Sequence, residues 1–251
     1  MSFDNHFKAV SAHYASSRPS YPDALFAWLA AQCESHGLAW DCGTGSGQAA
    51  LDLAERFERV LATDASPQQI ACAPRHPRVD YRVALAQQSS LPARSVDLIT
   101  VAQALHWFDL PAFYAEAQRV LKPGAVIVAW SYGIIQVEGE ALNAEVAHFY
   151  HRVVGPYWPA ERRHVETGYR ELPFPFAGLE APALAMTLDW SLAQLLDYLR
   201  SWSATARYLE ARGEDPVTLL GEQLEPLWGK GTRQVRWPLA IRAGRLGRTP
   251  A

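Results

Sequence analysis

The residues best suited to chemistry stand close together in the first quarter of the chain. Asp41, Cys42, Gly43, Thr44, Gly45, Ser46 and Gly47 are consecutive, and Asp64 follows 21 residues after Gly43. Glycine tolerates positive φ and lets a backbone approach a ligand with no Cβ in the way. Where such a run closes a strand and opens a helix, the unpaired N–H groups of the helix start face whatever the loop holds. A carboxylate at the tip of the next strand, as at Asp64, accepts both hydroxyls of a ribose lying across the strand ends. The spacing points to an adenosine-containing cofactor without saying which one.

The same run separates several cofactor and catalytic patterns. A dinucleotide fingerprint starting at Gly43 needs glycine at position 48, where Gln48 stands, so a nicotinamide cofactor loses ground. A phosphate-binding Walker loop needs Gly-Lys followed by Ser or Thr, and Gly47-Gln48-Ala49 supplies no such lysine. A hydrolase nucleophile elbow needs glycine two residues to either side of its serine, but Ser46 has Thr44 and Gln48 there.

Further along, His106 lies in Ala104-Leu105-His106-Trp107-Phe108-Asp109. With an unperturbed pKa of about 6.5, it can orient a substrate or take its proton. Trp107 reads as a pocket wall, and Asp109 also suits a helix N-cap before Pro111. Glu145, His148 and His151 repeat at spacing three, but no second element contributes ligands, so no metal is expected. The three cysteines, Cys33, Cys42 and Cys72, have neither an even count nor Cys-x-x-Cys spacing. This argues against a disulfide framework or zinc site and for a reducing, cytoplasmic setting.

The elements that must position these residues alternate. Apolar runs at 38–42, 60–64, 79–83, 96–102 and 125–130 read as strands, with helical patterns between them, the arrangement of a parallel sheet with crossover helices. The runs at 96–102 and 125–130 are nearly continuous in hydrophobicity and should be central. Ala50, Leu53, Ala54 and Phe57 form one helical stripe; Phe113, Ala117, Val120 and Leu121 form another, ended by Lys122-Pro123-Gly124. Ser66-Pro67-Gln68-Gln69 and Ser191 to Gln194 carry capping-box signatures. A helix is expected over 139–153, followed by a proline- and aromatic-rich loop at 155–182. Period-two alternation then predicts strands at 183–190 and 232–248, with Pro238 suited to an edge or bulge.

Composition bounds the class. At 251 residues, 49% hydrophobic and 20% charged, the chain suits one packed domain. A net charge of −3 gives no positive field for a phosphate backbone, so nucleic acid is not an expected partner. The clustered Arg233, Arg236, Arg242, Arg245 and Arg248 read as a solvated strand face and tail. No run of about 18 apolar residues is present to span a bilayer, and the start of the chain lacks a signal-peptide pattern. No membrane partner is expected, and the oligomeric state is open.

DCGTGSG at 41–47, Asp64, SVDLITVAQALHWFD at 95–109 and LKPGAVIV at 121–128 together resemble the class I S-adenosylmethionine (SAM) dependent methyltransferases, in the type 11 group. YASSRPSYP, SWS and WPLAIR are similar to a small-molecule branch that includes trans-aconitate methyltransferases. The resemblance implies a Rossmann-like, doubly wound α/β sheet of seven strands with an antiparallel last strand. It implies one domain built of an N-terminal helical lid (1–33), a nucleotide-binding core (34–133), cap insertions (134–182 and 191–230) and two final strands. SAM would be the cofactor and S-adenosylhomocysteine the product, with a small molecule, such as an organic-acid carboxylate, as acceptor.

By the same resemblance, Asp41, Gly43, Thr44, Gly45 and Gly47 hold the methionine part of the cofactor, and Asp64 with Ala65 the ribose. Gln103 receives the methionine amino group, while Tyr14 and Arg18 close over the cofactor. Where the family often carries an acid for the adenine edge, this chain has Gln87 and Gln88, whose carbonyls are weaker acceptors. His106, Trp107 and Trp202 form the substrate side. His106 is a base or only a positioning group, since a carboxylate acceptor needs no base. Trp202 lines an apolar pocket or packs the core. Two other classes stay open: a nicotinamide-dependent oxidoreductase and a SAM-binding module without turnover.

Overall fold

The computed structural model describes residues 19–247, so Tyr14 and Arg18 lie outside the described residues. These residues form two compact units. A sheet unit comprises 21–133, 163–184 and 239–247; a helical unit comprises 19–20, 134–162 and 185–238.

In the sheet unit the alternation read from sequence is realised as β1 (Leu38–Cys42), α2 (Gln48–Ala54), β2 (Arg59–Asp64), α3 (Pro67–Ala71), β3 (Val79–Val83), β4 (Val96–Ala102), α4 (Leu110–Val120) and β5 (Leu121–Tyr132), preceded by α1 (Asp23–Ala31). The strands lie in the order β3-β2-β1-β4-β5, all parallel, and β9 (Arg233–Arg245) joins β5 antiparallel from Tyr132↔Leu239 to Val126↔Arg245. This is a Rossmann-like α/β sheet. β4 is buried along almost its whole length between β1 and β5, as its unbroken apolar run requires. β3, at the edge, buries none of its residues fully.

The seventh strand of this unit differs from the expected one. It is β7 (Ala177–Leu179), paired with Gly244 and its neighbours on β9, within the stretch read as loop. The expected strand at 183–190 exists as β8 (Ala185–Trp190), but it pairs with the first half of β9 in the helical unit, giving nine strands among the described residues. The alternation in β8 is genuine but incomplete: Met186 and Trp190 are buried, whereas Leu188 is 37% exposed. A short apolar alternation identifies a strand without naming its partner. Pro238 pairs with Ala185 on one side, just before β5 takes over as a partner of β9 at Leu239. That position spares it a ladder bond it cannot donate.

The caps read from sequence are in place. Ser66 Oγ accepts from Gln69 N, Asp109 Oδ1 accepts from Ala112 N at 3.3 Å, and Ser191 with Gln194 completes a reciprocal capping box. In the helical unit the expected 139–153 helix is α5 (Glu140–His148) followed by a π-helical turn (Phe149–Val153). It is joined by α7 (Leu192–Arg200), α8 (Ser203–Arg212), α9 (Pro216–Trp228) and the short β6 (Gln136–Val137), with α6 (Arg162–Glu166) at the chain's return to the sheet unit. Aromatic rings fill this unit: Trp237 Nε1 donates to Tyr198 Oη at 2.9 Å, and Trp202 packs against Phe149, Tyr150, Trp158 and Tyr198.

One ion pair sets the loop after β3. Glu116, on α4, accepts from Ser89 N at 3.0 Å and Ser89 Oγ at 2.5 Å, while Arg119 donates to Glu116 and to the Leu91 carbonyl. The Arg119 hydrogen bond, helped by those from Ser89, holds the Glu116 carboxyl down to about 2. A carboxyl lowered by folding stabilises the fold fully above its unfolded pKa of about 4.3 and loses that contribution as pH falls toward 2. Glu116→Gln should therefore lower the unfolding free energy by roughly 1–3 kcal/mol at pH 7, reduced where water screens the exposed Arg119. In urea titrations the gap from wild type should shrink steadily below pH 4. A gap that stays constant down to pH 2.5 would exclude this origin.

Candidate active site

The glycine run leaves β1 at Cys42 and reaches the start of α2 at Gln48. Gly43 N and Thr44 N both donate to the Thr63 carbonyl of β2, at 2.8 and 2.9 Å, which ties the loop to the neighbouring strand end. Gly43, Gly45 and Gly47 have φ of 72°, 58° and 86°, the left-handed region that glycine tolerates. The three are glycine for different reasons. A Cβ on Gly43 would lie 2.5 Å from Ala104 Cβ, and one on Gly47 would lie 2.5 Å from Tyr81 Oη. At Gly45 the nearest atom is Gln69 Oε1, at 3.8 Å. Packing of the protein against itself explains Gly43 and Gly47, and Gly45 alone borders open space.

Asp41 sits under this loop, fully buried. Its carboxylate accepts from Thr44 Oγ1 at 2.5 Å and from Thr100 Oγ1 at 2.8 Å. Burial pushes the carboxyl up to about 6, against the opposing pull of these two hydroxyls. The carboxylate thus braces the turn from within the fold.

Asp64 ends β2 at the opposite lip of the loop. Its Oδ2 accepts from Gly45 N and its Oδ1 from Ser66 N, both at 2.9 Å. One carboxylate joins the glycine loop to the start of α3, and each oxygen keeps lone-pair capacity for a further donor. Ala65 beside it is exposed. After β3, Gln88 N closes a turn on the Leu85 carbonyl at 3.0 Å; Gln87 is half-buried and Gln88 exposed. Val83 and Leu85 expose about half their surfaces beside these amides, at 53% and 48%.

Gln103, just past β4, has φ of 56°, an uncommon state for a residue with a side chain. Its backbone N–H donates to the Trp130 carbonyl and its side-chain Nε2 to the Tyr132 carbonyl, at 2.9 and 3.0 Å. Two bonds to β5 hold it in that conformation.

His106 lies on a 3-10 turn (Leu105–Trp107) that leads into α4. Its ring centroid is 4.7 Å from that of Trp107, which is 46% exposed. Its Nδ1 lies 3.0 Å from Tyr169 Oη. Sequence reasoning missed Tyr169, because residues 155–182 were read as loop and a tyrosine there carries no periodic signal. In the structure Tyr169 follows a turn at Gly168, whose φ is 60°.

All the described site residues except Trp202 are in the sheet unit. Trp202 belongs to the helical unit, where it is 8% exposed and its ring is spent on packing. An open cleft of about 530 Å³, lined by Ala147, His148, His151 and Arg152, is also in the helical unit and contains none of the residues above. Among the described residues no group of His, Cys, Asp and Glu is placed to hold a metal, including Glu145 with His148 and His151.

Residues 40–129, which contain the glycine loop, Asp64 and His106, match a family model described as a methyltransferase domain. A methyltransferase-family protein of Dictyostelium discoideum is 35% identical over 225 residues, covering 88% of this chain and 86% of its own. A solved methyltransferase-family structure from Anaeromyxobacter dehalogenans is 48% identical with a TM-score of 0.88, over 92% of this chain and 99% of that one. A further structure from Anabaena variabilis, 18% identical with a TM-score of 0.55, shares the fold. With likeness of this extent lying over the glycine loop, the acid at the tip of β2 and the segment after β4, the chain belongs to the methyltransferase family.

Proposed function

We propose that the protein transfers a methyl group from SAM to a small-molecule acceptor, with the cofactor held at the glycine loop and Asp64. The observation that carries this reading is the Asp64 carboxylate, anchored through both oxygens on Gly45 N and Ser66 N beside the open face of Gly45. The residues fit the cofactor. A carboxylate pre-oriented by two backbone amides suits a ribose diol. Gly45 and Thr44 would flank the methionine part, Ala65 the ribose, and Gln87 with Gln88 the adenine edge. Gln103 would offer carbonyl oxygen to the methionine amino group, its backbone N–H and one side-chain N–H being committed to β5. Tyr14 and Arg18 would complete the enclosure.

SAM supplies a methyl group already activated by a sulfonium, so the chain's own task is binding, alignment and exclusion of water. A carboxylate against the sulfonium would stabilise the reactant over the transition state, and the nearby acids are spent otherwise: Asp41 on Thr44 and Thr100, Asp64 on amides. His106 and the exposed Trp107 would meet the acceptor. An organic-acid carboxylate, as in the trans-aconitate branch, is the acceptor this set favours. A nicotinamide cofactor fits less well, because Gln48 stands where its fingerprint needs glycine. A site in the reducing cytoplasm completes the reading.

Two measurements test it. Asp64→Ala should weaken SAM binding at least tenfold in calorimetric titration, about 1.4 kcal/mol or more for the lost charged hydrogen bonds. Equal affinity in that variant, or heat from NAD and none from SAM, would defeat the assignment. The glycines should divide by environment. Gly45→Ala meets only the left-handed penalty of roughly 1–2 kcal/mol, whereas Gly47→Ala also collides with Tyr81 and should unfold at clearly lower urea. SAM affinity should fall for Gly45→Ala although its fold is the better preserved; the reverse ranking in both assays contradicts the proposed cradle.

A further inference from the structure

β3 (Val79–Val83) is a free edge of the sheet: it pairs with β2 on one side, and no strand lies beyond it among the described residues. Backbone groups alternate in direction along a strand, so the bonds made to β2 show which residues of β3 face inward. The Arg78 carbonyl accepts from Val60 N at 2.8 Å, and Ala84 N donates to the Asp64 carbonyl at 3.0 Å. Even-numbered residues of this stretch therefore turn their N–H and C=O groups to β2, and Val79, Tyr81 and Val83 turn theirs outward. Val79 N is used on the His76 carbonyl, at 3.1 Å. The outward row is then the Val79 carbonyl and both backbone groups of Tyr81 and Val83. Such a row is a template for another strand.

Charged side chains commonly blunt an edge. On β3 they fall in a self-complementary order. The strand reads Val-Asp-Tyr-Arg-Val, which is unchanged when reversed except that the acid and the base trade places. Side chains alternate between the two faces of a strand. The Tyr81 hydroxyl lies against Gly47 at the start of α2, so Asp80 and Arg82 share the opposite face, where their side chains are 55% and 51% exposed. Within the chain they pair, Arg82 Nε donating to Asp80 Oδ2 at 2.8 Å. Val83, at the end of the strand, is a large apolar residue left exposed.

We infer that the free edge of β3 binds β3 of a second copy of this chain, antiparallel and two-fold symmetric about Tyr81, so that two sheets become one. Each Tyr81 N–H then donates to the other Tyr81 carbonyl, and each Val83 N–H to the Val79 carbonyl across from it. All of these are groups that a single chain turns away from β2. On one face Val79 packs against Val83 of the second copy. On the other, Asp80 stands opposite Arg82 in both directions, and with the pair inside each chain the charges alternate in a ladder. Charge also sets the register. The edge groups fall on every second residue, so the pairing slips in steps of two, and one step either way places Asp80 against Asp80 or Arg82 against Arg82. Main-chain bonds supply the affinity, and the order of charges supplies the choice of partner. The same patch serves both copies, which closes the assembly at a dimer. This pairing does not depend on the methyl-transfer reading.

Sedimentation of the full chain over a dilution series tests it. Wild type should dimerise reversibly, and a monomer at every concentration overturns the inference. Asp80→Arg and Arg82→Asp should each sediment as a monomer when alone, because each sets like charges across the two-fold axis; mixed, the two should form a one-to-one heterodimer. The double variant Asp80→Arg with Arg82→Asp reverses the order but keeps it complementary, and should recover the dimer. Dimers that persist in either single variant, a mixture that stays monomeric, or a double variant that fails to recover would each show that Asp80 and Arg82 do not meet across copies, and overturn the pairing. Val83→Pro deletes a donor that β2 does not use. It should dissociate the dimer while keeping the circular dichroism of wild type; a folded Val83→Pro that dimerises as wild type does overturns the strand pairing. Should Val83→Pro fail to fold, the charge-exchange series decides by itself.

Discussion

The candidate site depends on one carboxylate placed between two backbone amides. Asp64 takes Gly45 N on one oxygen and Ser66 N on the other. Without it, the N–H groups of a positive-φ loop and of the α3 start would lack their charged acceptor, and such groups are costly to leave unpaired away from water. The parallel pairing of β1 with β2, from Leu38↔Arg59 to Cys42↔Thr63, brings Gly45 within reach of the strand tip. Asp41 performs the matching task from below through two threonine hydroxyls. The loop is thereby gripped on both faces by carboxyls.

Two carboxyls show how setting outranks residue type. Asp41 is sealed in the interior with only hydroxyl donors, and burial raises its pKa to about 6. Glu116 has the Arg119 guanidinium and two donors from Ser89, and its pKa falls to about 2. Desolvation dominates where no cation is supplied, and a charged hydrogen bond dominates where one is. The first acid shapes the glycine loop and the second anchors the loop carrying Gln87 and Gln88.

The segment at 163–184 belongs to the sheet unit although the sequence pattern grouped it with a cap insertion. Its attachment is made by contacts that periodicity does not encode. Arg242 holds the carbonyls of Tyr169 and Leu172, Tyr114 Oη donates to the Pro173 carbonyl at 2.8 Å, and β7 pairs with β9. An arginine read from sequence as part of a solvated strand face is a structural clamp. Its Nη1 is matched by two carbonyls and its planar face by the Phe174 ring.

Much of the fold was legible because its determinants are local. Apolar runs marked β1 to β5, the order of hydrophobicity marked β4 as central, and Ser66, Asp109 and Ser191 marked helix starts, since a cap or stripe involves residues within a few positions of each other. The glycine run and Asp64 were legible for a related reason: spacing along a strand–loop–helix unit is itself geometry. The choice of partner was not legible. The pairing of β8 with the first half of β9, the short β7, the left-handed Gln103 and the meeting of Tyr169 with His106 all join residues far apart in the chain or depend on bonds to another strand. The chain by itself determined which segments would be strands and helices and where the glycine run and the acid at the tip of β2 would stand. Tertiary structure alone decided which polar groups were already spent on the protein and which phenol would lie beside the histidine, because satisfaction of a buried donor or acceptor is a property of packing across distant segments.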